Sequence, residues 1–569
     1  CKPGCVLATN TSSFYVHEMA TVTRRPGHVV GLHYFFHPAK NRLLEVIPAH
    51  LTDPAVTAAM VRFAEAHGKT ALVCKDAPGF VVNRFFVPWL NEAVRLLADG
   101  TADIATIEDE AKRAFGIGMG PFELMNVTGI PVALHAAGTL GTELGAFYEP
   151  DQRLADQVAS RELWPLDGIP SDTGRAAVRD RLLGVTFSVA GAIVDEGVSS
   201  LEDVDRGARI GLKWARGPFE MMNADGLTEA LRRCEQLTAA WPDVPVPACL
   251  RQRVEAGDTA IAFQRVDLAV RDGVAWITIN RPEVLGALDP EVMGQLSLRF
   301  DEALAAPGLR GIVLASAGKA FVAGADVAWF VDRIEHDDVA GIVDFTRSGQ
   351  ELLDRIEAAP VPVVARVHGL AMGGGVELAL ACHAIVCTDK ASFALPETGI
   401  GIYPGLGGTQ RLPRIVGRPL ARRMIFTGRP LSARQAQAAG LALDCVPLAD
   451  LDAAVTRHAL AGVPDKYAPH ASDDALVAEV YADGRSPGAA AGLSEQAAAV
   501  ADKDARALAR KAPLALQTAA RLLDEGASLP LRQGLDLELQ ALPTIFGSQD
   551  ALIGLRSVLS RERPSWTGR

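Results

Sequence analysis

At 569 residues the chain is too long for one hydrophobic core, and about three or four domains are expected. Hydrophobic residues make up 49% and charged residues 22%, as in an ordinary globular chain. The net charge of −12 argues against nucleic acid as a main partner, because phosphate contacts need clustered Lys and Arg, and no apolar run reaches the roughly 18 residues of a membrane span.

The eight cysteines, Cys1, Cys5, Cys74, Cys234, Cys249, Cys382, Cys387 and Cys445, form no C-x-x-C pair and mostly sit in apolar runs. They read as reduced thiols of a cytoplasmic protein, with no metal site.

In chain order, Val6–Ala8 is a short apolar run that breaks into Thr9, Asn10, Thr11, Ser12 and Ser13. That pattern ends a buried parallel strand, and ligands bind beyond such ends. "HVVGLHYFF" (His28–Phe36) and "RLLEVIP" (Arg42–Pro48) read as strands joined by polar "HPAKN". Asp53 and Pro54 open a helix that stops at Gly68. Ala71–Asp76 is a strand and Gly79–Gly100 a long amphipathic helix.

An internal repeat follows. Glu92–Ile130 and Gly191–Leu227 both run helix, Gly, acidic cap, helix, Gly-rich turn, then "GPFE" and Met-Asn, which predicts two copies of one helical unit. In each "GPFE" (Gly120–Glu123 and Gly217–Glu220), Pro starts a helix and Glu lies in its first turn, a capping pattern. The proline-rich stretch Trp241–Gln264 reads as an inter-domain crossing. Val266–Asn280 is a hairpin with an Asp-Gly turn. Apolar strands, each followed by a loop and a helix, then give an α/β domain to about Pro447. The last hundred or so residues are Ala/Leu-rich helices, within which the polar stretch 463–500 reads as a loosely packed insertion.

The chemistry of the second half centres on "RVHGLAMGGGVELALAC" (Arg366–Cys382), a strand, a glycine turn and a helix. Three glycines let backbone N–H groups approach a ligand at a helix N-terminus, with Glu377 on the first turn. With "KAFVAGADV" (Lys319–Val327), "FALPETGIGIYPGLGGTQRLPR" (Phe393–Arg414) and "FTGRPLSARQAQAAGLALDCV" (Phe426–Val446), it resembles the enoyl-CoA hydratase/isomerase (crotonase) family from about Val266 to Arg569.

The resemblance implies that Ala325 and Gly374 offer backbone N–H groups to a thioester carbonyl. It also implies that Glu377 and Glu397 hold one water between them, one as base and one as acid. Having both carboxyls favours a hydratase; an isomerase or another thioester-enolate enzyme is the alternative. A non-catalytic acyl-CoA-binding scaffold is a third reading. Lys319 and Gly405 are expected to contact substrate, and Gly286 stands where the family usually has Asn.

In the first half, His33 and Glu45 lie on successive strands, and Asn83 opens a helix at "PGFVVNRFF". With "NTSS" and "GMGPFEL" these residues resemble the L-3-hydroxyacyl-CoA dehydrogenase family over about residues 1–235. The resemblance implies that His33 takes the proton of a 3-hydroxyl as hydride leaves for NAD, while Glu45 orients His33. Ser12 and Asn83 would bind the hydroxyl side, and Asn10 and Ser12 the cofactor. His37 stands near the family's Asn position, so that role is not carried over. The chain contains no G-x-G-x-x-G. The expectation is therefore an N-terminally truncated dinucleotide fold, with a partly destabilised first segment, an incomplete NAD site and a lost dehydrogenase activity.

The expected architecture is multidomain α/β and α. Residues 1–75 form a Rossmann remnant, 76–150 and 151–240 two all-α dehydrogenase C-terminal repeats, and 241–264 a linker. Residues 265–569 form a crotonase-like α/β spiral domain with a helical C-terminus. The expected function is of fatty-acid β-oxidation type: hydration of a 2-enoyl-CoA to a (S)-3-hydroxyacyl-CoA, linked to NAD-dependent oxidation of that product. The hydratase half needs no cofactor. The expected partner is an acyl-CoA, with no nucleic acid and no membrane span, and the apolar C-terminal helices (Ala512–Leu559) point to a homo-oligomer.

Overall fold

The apolar runs at the start of the chain become four strands: β1 (Leu7–Thr9), β2 (Val29–Tyr34), β3 (Leu43–Pro48) and β4 (Thr70–Val73). The computed structural model describes residues 2, 4–12, 14–464, 475–482 and 492–569, which divide into two compact units, Cys1–Phe263 and Gln264–Arg569.

In the first unit the strand order is β1-β2-β3-β4. β1 runs parallel to β2, β2 antiparallel to β3, and β3 parallel to β4. Both faces are covered, which explains the unbroken apolar runs. Val30, Leu32, Leu44 and Val46 pack against Val56 and Ala64 of the helix Pro54–Ala66. Leu43, Ile47 and Leu72 face a larger core that includes Phe85 and Trp89 of the helix Val82–Ala98. Asp53 stands at the N-cap as expected, but its side chain makes no capping bond there; Pro54 sets the start.

The repeat folds as two matching helical copies. In the first, the buried Glu108 carboxylate accepts from the N–H groups of Gly120 (3.1 Å), Phe122 (2.6 Å) and Glu123 (3.2 Å). In the second, Asp205 accepts from Phe219 (2.8 Å) and Glu220 (2.9 Å). Each "GPFE" helix start is thus satisfied by an acid from the preceding helix, an anion at the positive end of a dipole. Glu220 adds a capping box by accepting from Gly217 N–H (3.0 Å), whereas Glu123 pairs with Lys112 (2.8 Å).

A second shared device extends each copy. The Asn126 amide clamps both backbone groups of Trp164, and Asn223 clamps both of Ile261, each at a separation of 38 residues. The expected crossing at 241–264 is therefore corrected. This stretch contains the helix Ala248–Ala256, whose first N–H groups are held by Asp195, and it buries Leu250, Ile261 and Phe263 in the first unit. Glu108→Ala, which orphans two buried N–H groups and a third that is part-buried, is expected to cost about 3 kcal/mol, with Asp205→Ala close behind. Thermal or denaturant unfolding of the two variants checks this.

The second unit begins with β5 (Val266–Arg271) and β6 (Val274–Ile279), a hairpin turned through Asp272 (φ 52°) and Gly273 (φ 79°). β7 (Gly311–Ser316), β8 (Ala320–Ala323), β9 (Val363–Val367), β10 (Leu370–Met372), β11 (Ala384–Thr388), β12 (Ser392–Ala394), β13 (Leu431–Ser432) and β14 (Asp444–Val446) follow. They form a six-stranded sheet, β14-β11-β9-β7-β6-β5, and a four-stranded sheet, β13-β12-β10-β8. Apart from the β5–β6 and β12–β13 pairs, neighbours are parallel. The main core includes residues of both sheets, such as Ile277, Leu314, Val322 and Phe393. The other face of the large sheet is closed by the helix Leu448–Ala459.

The expected insertion at 463–500 is corrected in part. The helices Ala475–Val480 and Glu495–Leu508 bury Val477, Val480 and Ala497 in the core, and Tyr481, just after the first of them, is buried there too. The stretches 465–474 and 483–491 lie outside the described residues.

Candidate active sites

The Gly-rich turn after β10 passes directly into the helix Gly374–Ala381. Gly373 adopts φ 53°, and a Cβ there would stand 2.8 Å from Oε1 of Glu397. A Cβ on Gly375 would strike the carbonyl of Val322 on β8, so glycine at this position lets the helix come this close to the strand. Gly374 is the first helical residue, and its N–H is one of the donors no helical carbonyl can reach.

Ala325 lies in a one-residue bridge with Leu288. There Leu288 N–H donates to Gly324 O (3.0 Å) and Asp326 N–H to Leu288 O (2.7 Å). Ladder geometry turns the N–H of Ala325 to the opposite side. Gly286, nearby, has φ 71°, and a Cβ there would meet Phe321 O at 2.7 Å; crowding and backbone sign both explain glycine here.

Ala325, Gly374, Glu377, Glu397 and Gly405 line one cavity of about 300 Å³. Its remaining wall is largely apolar, with Phe330, Phe345, Leu542, Phe546 and Leu555. Phe330 and Phe546 stack with centroids 5.2 Å apart. Lys319 is exposed on the turn before β8 and is absent from this lining.

Both carboxyls are buried. Oε1 of Glu377 accepts from the N–H groups of Leu406 (2.7 Å) and Gly408 (2.8 Å). Burial pushes Glu377 up to about 7, against these two bonds and the Arg411 charge. Glu397 is raised well above the usual carboxylate range by burial and by the charge of Glu377. Its Oε2 has no hydrogen-bond partner among the described residues. Lys511, itself lowered by burial, is the cation that opposes the rise at Glu397. Two like groups buried in one cavity cannot both ionise cheaply, so the second proton is held more tightly than the first.

In the first unit, His33 on β2 and Glu45 on β3 are direct cross-strand partners, Nδ1 to Oε2 at 2.6 Å. The other carboxylate oxygen of Glu45 accepts from Val81 (3.2 Å) and Val82 (3.0 Å), at the N-terminus of the helix Val82–Ala98. Phe35 and Phe80 pack on the His33 ring at 4.7 and 5.8 Å. Asn83 follows Val82 in that helix and is half-buried. Asn10, at the carboxyl end of β1, accepts from Tyr34 N–H (2.9 Å), one residue beyond His33, and Ser12 lies exposed on the same loop. His37, at φ 55°, is exposed in the β2–β3 turn.

Sequence reasoning missed Lys511, the N–H pair at Glu45 and the support beneath Glu377. These sit far along the chain or on backbone atoms, which residue identity does not report.

Comparison with known proteins places each unit in a family. Residues 274–569 match the family described as "Enoyl-CoA hydratase/isomerase". Residues 1–77 match "3-hydroxyacyl-CoA dehydrogenase, NAD binding domain", and residues 79–163 and 178–267 match "3-hydroxyacyl-CoA dehydrogenase, C-terminal domain". A probable enoyl-CoA hydratase of Bacillus subtilis (strain 168) is 40% identical over 176 residues, 31% of this chain and 67% of that relative. Among solved structures, an enoyl-CoA hydratase from Rhodobacter sphaeroides 2.4.1 is similar at TM-score 0.47 and 29% identity, over 54% of this chain and 93% of that one. A 3-hydroxybutyryl-CoA dehydrogenase from Escherichia coli K12 substr. MG1655 is similar at TM-score 0.41 and 20% identity, over 45% of this chain and 77% of that one. These partial structural overlaps add no weight to the family matches.

The chain belongs to the enoyl-CoA hydratase/isomerase family and carries the 3-hydroxyacyl-CoA dehydrogenase domains ahead of that region. It is a fatty-acid β-oxidation-type enzyme acting on CoA thioesters, with NAD as cofactor of its dehydrogenase part and no cofactor in its hydratase part.

Proposed function

We propose that the cavity of the second unit adds water across a 2-enoyl-CoA, with Glu377 as base and Glu397 as acid. The observation that carries this reading is one apolar cavity that holds both buried carboxyls and the glycine-rich turn. Glu377, which ionises first, takes a proton from water as the oxygen bonds to carbon 3. The electrons move to the thioester oxygen, which the N–H groups of Ala325 and Gly374 stabilise. Glu397, still protonated, delivers its proton to carbon 2, and the proton on Glu377 returns to Glu397 to reset the pair. An isomerase needs only one such carboxyl; the unbonded Oε2 of Glu397 supports the hydratase reading.

The test is loss of the conjugated-thioester absorbance of crotonyl-CoA. The expected pH profile rises as Glu377 loses its proton near pH 7 and falls at higher pH as Glu397 loses its own. A profile flat across this range would overturn the assignment.

In the first unit, NAD when bound supplies the hydride acceptor. The strand-end position of Asn10 and Ser12 beside the His33 strand fits its reacting end. His33 takes the proton of the 3-hydroxyl, and Glu45 holds the ring and stabilises the imidazolium. Ser12 and Asn83 bind the hydroxyl side; in the second unit, Lys319 binds a distal part of the CoA of that unit's own substrate.

We also read the protein as a cytoplasmic homo-oligomer. Its exposed apolar Val558 and Leu559 on the last helix support self-association. No described helix is long and apolar enough to cross a membrane.

A further inference from the structure

The loop Gly405–Thr409 supports Glu377 from above and is itself held from below. Gln350 donates to Gly405 O (2.9 Å), and Arg411 donates to Leu406 O (3.4 Å) while pairing with Asp354 (2.5 Å) and Glu357 (2.9 Å). The third support is Glu538, fully buried on the helix Leu531–Phe546. Its Oε1 accepts from the N–H (3.1 Å) and the hydroxyl (2.5 Å) of Thr409, and its Oε2 from Gln350 (3.1 Å). Leu406 and Gly408 thus give their N–H groups to Glu377, while Thr409 gives its own to Glu538. One short loop is stretched between two carboxyl groups.

We propose that Glu538 is a positioning residue for hydration: through Thr409 and Gln350 it fixes the loop whose N–H groups aim and charge-stabilise Glu377. This rests on the reading of Glu377 as the reacting carboxyl. Glu538 does not line the cavity, so it acts on turnover and not on substrate affinity. Its carboxyl is pushed up to about 8 by burial and by the Glu377 charge, against its Thr409 bonds and Arg411. At neutral pH it is mostly uncharged, so glutamine is its isostere.

The test is steady-state hydration of crotonyl-CoA by the full chain. Glu538→Ala is expected to lower kcat about 10- to 100-fold with KM within about 3-fold, because small misplacements of a reacting group cost this much. Glu538→Gln is expected to restore most of that loss. Unchanged kcat in Glu538→Ala, a loss confined to KM, or no recovery with Gln would overturn the inference. Should Glu538→Ala fail to fold, Thr409→Val decides: a lowered kcat at constant KM supports it, and wild-type kcat overturns it. Glu377→Gln is measured alongside. An active Glu377→Gln overturns the hydration reading itself, whereas an inactive one beside a wild-type-like Glu538→Ala overturns only the role of Glu538.

Discussion

Replacing Glu377 by Gln, or Glu397 by Gln, is expected to lower kcat for crotonyl-CoA hydration by about 100- to 10,000-fold, the usual share of a positioned acid or base. The amide keeps the shape of each site but can neither take nor give the proton. The two losses are not expected to add, because a proton taken by Glu377 must be balanced by one given from Glu397. Folding provides the control. Both carboxyls have folded pKa values above the ordinary 4.5. Their contribution to stability is full below pH 4.5 and is lost as pH rises through about 7 for Glu377, and further up for Glu397. Gln removes that burden, so each variant is expected to be at least as stable as the parent near pH 8. An inactive variant that melts earlier at pH 8 would point to misfolding.

Replacing His33 by Gln is the second large effect. In a form of the protein with a working NAD site, NADH formation from a 3-hydroxyacyl-CoA is expected to fall by about 100- to 10,000-fold on this substitution, since the 3-hydroxyl proton then has no acceptor. Glu45→Gln should cost less than His33→Gln in rate but more in stability. The Glu45 carboxylate holds His33 and also the Val81 and Val82 N–H groups, and its neutral replacement weakens the bonds at that helix start. The measurement is the rate of NADH absorbance gain, with hydration by the same variants as the internal control. Equal loss of both activities would sink the assignment.

Both proposed pairs, Glu377 with Glu397 and His33 with Glu45, could be singled out from the sequence because each is marked by local spacing. Glu377 sits where a glycine turn becomes a helix, and His33 faces Glu45 because two strands joined by a short turn set their register. The crossing at 241–264 was misread for an equally local reason. Pro242, Pro245 and Pro247 suggest a linker, yet Pro247 stands at a helix N-cap and packs near Gly191. The residues that anchor the segment, Asn223 and Asp195, lie 38 and 53 residues away from those they hold.

By itself the sequence determined the two chemistries, the helical repeat and the α/β character of the second half. These follow from residue type at short range, where chain geometry leaves few alternatives. Only the tertiary structure decided how Glu377 is held. Glu538 comes 129 residues after Thr409, and no periodicity connects them. Burial, which raises both the Glu377 and the Glu397 carboxyl, likewise depends on the C-terminal helices, whose Leu542, Phe546 and Leu555 wall the cavity from more than a hundred residues further along the chain.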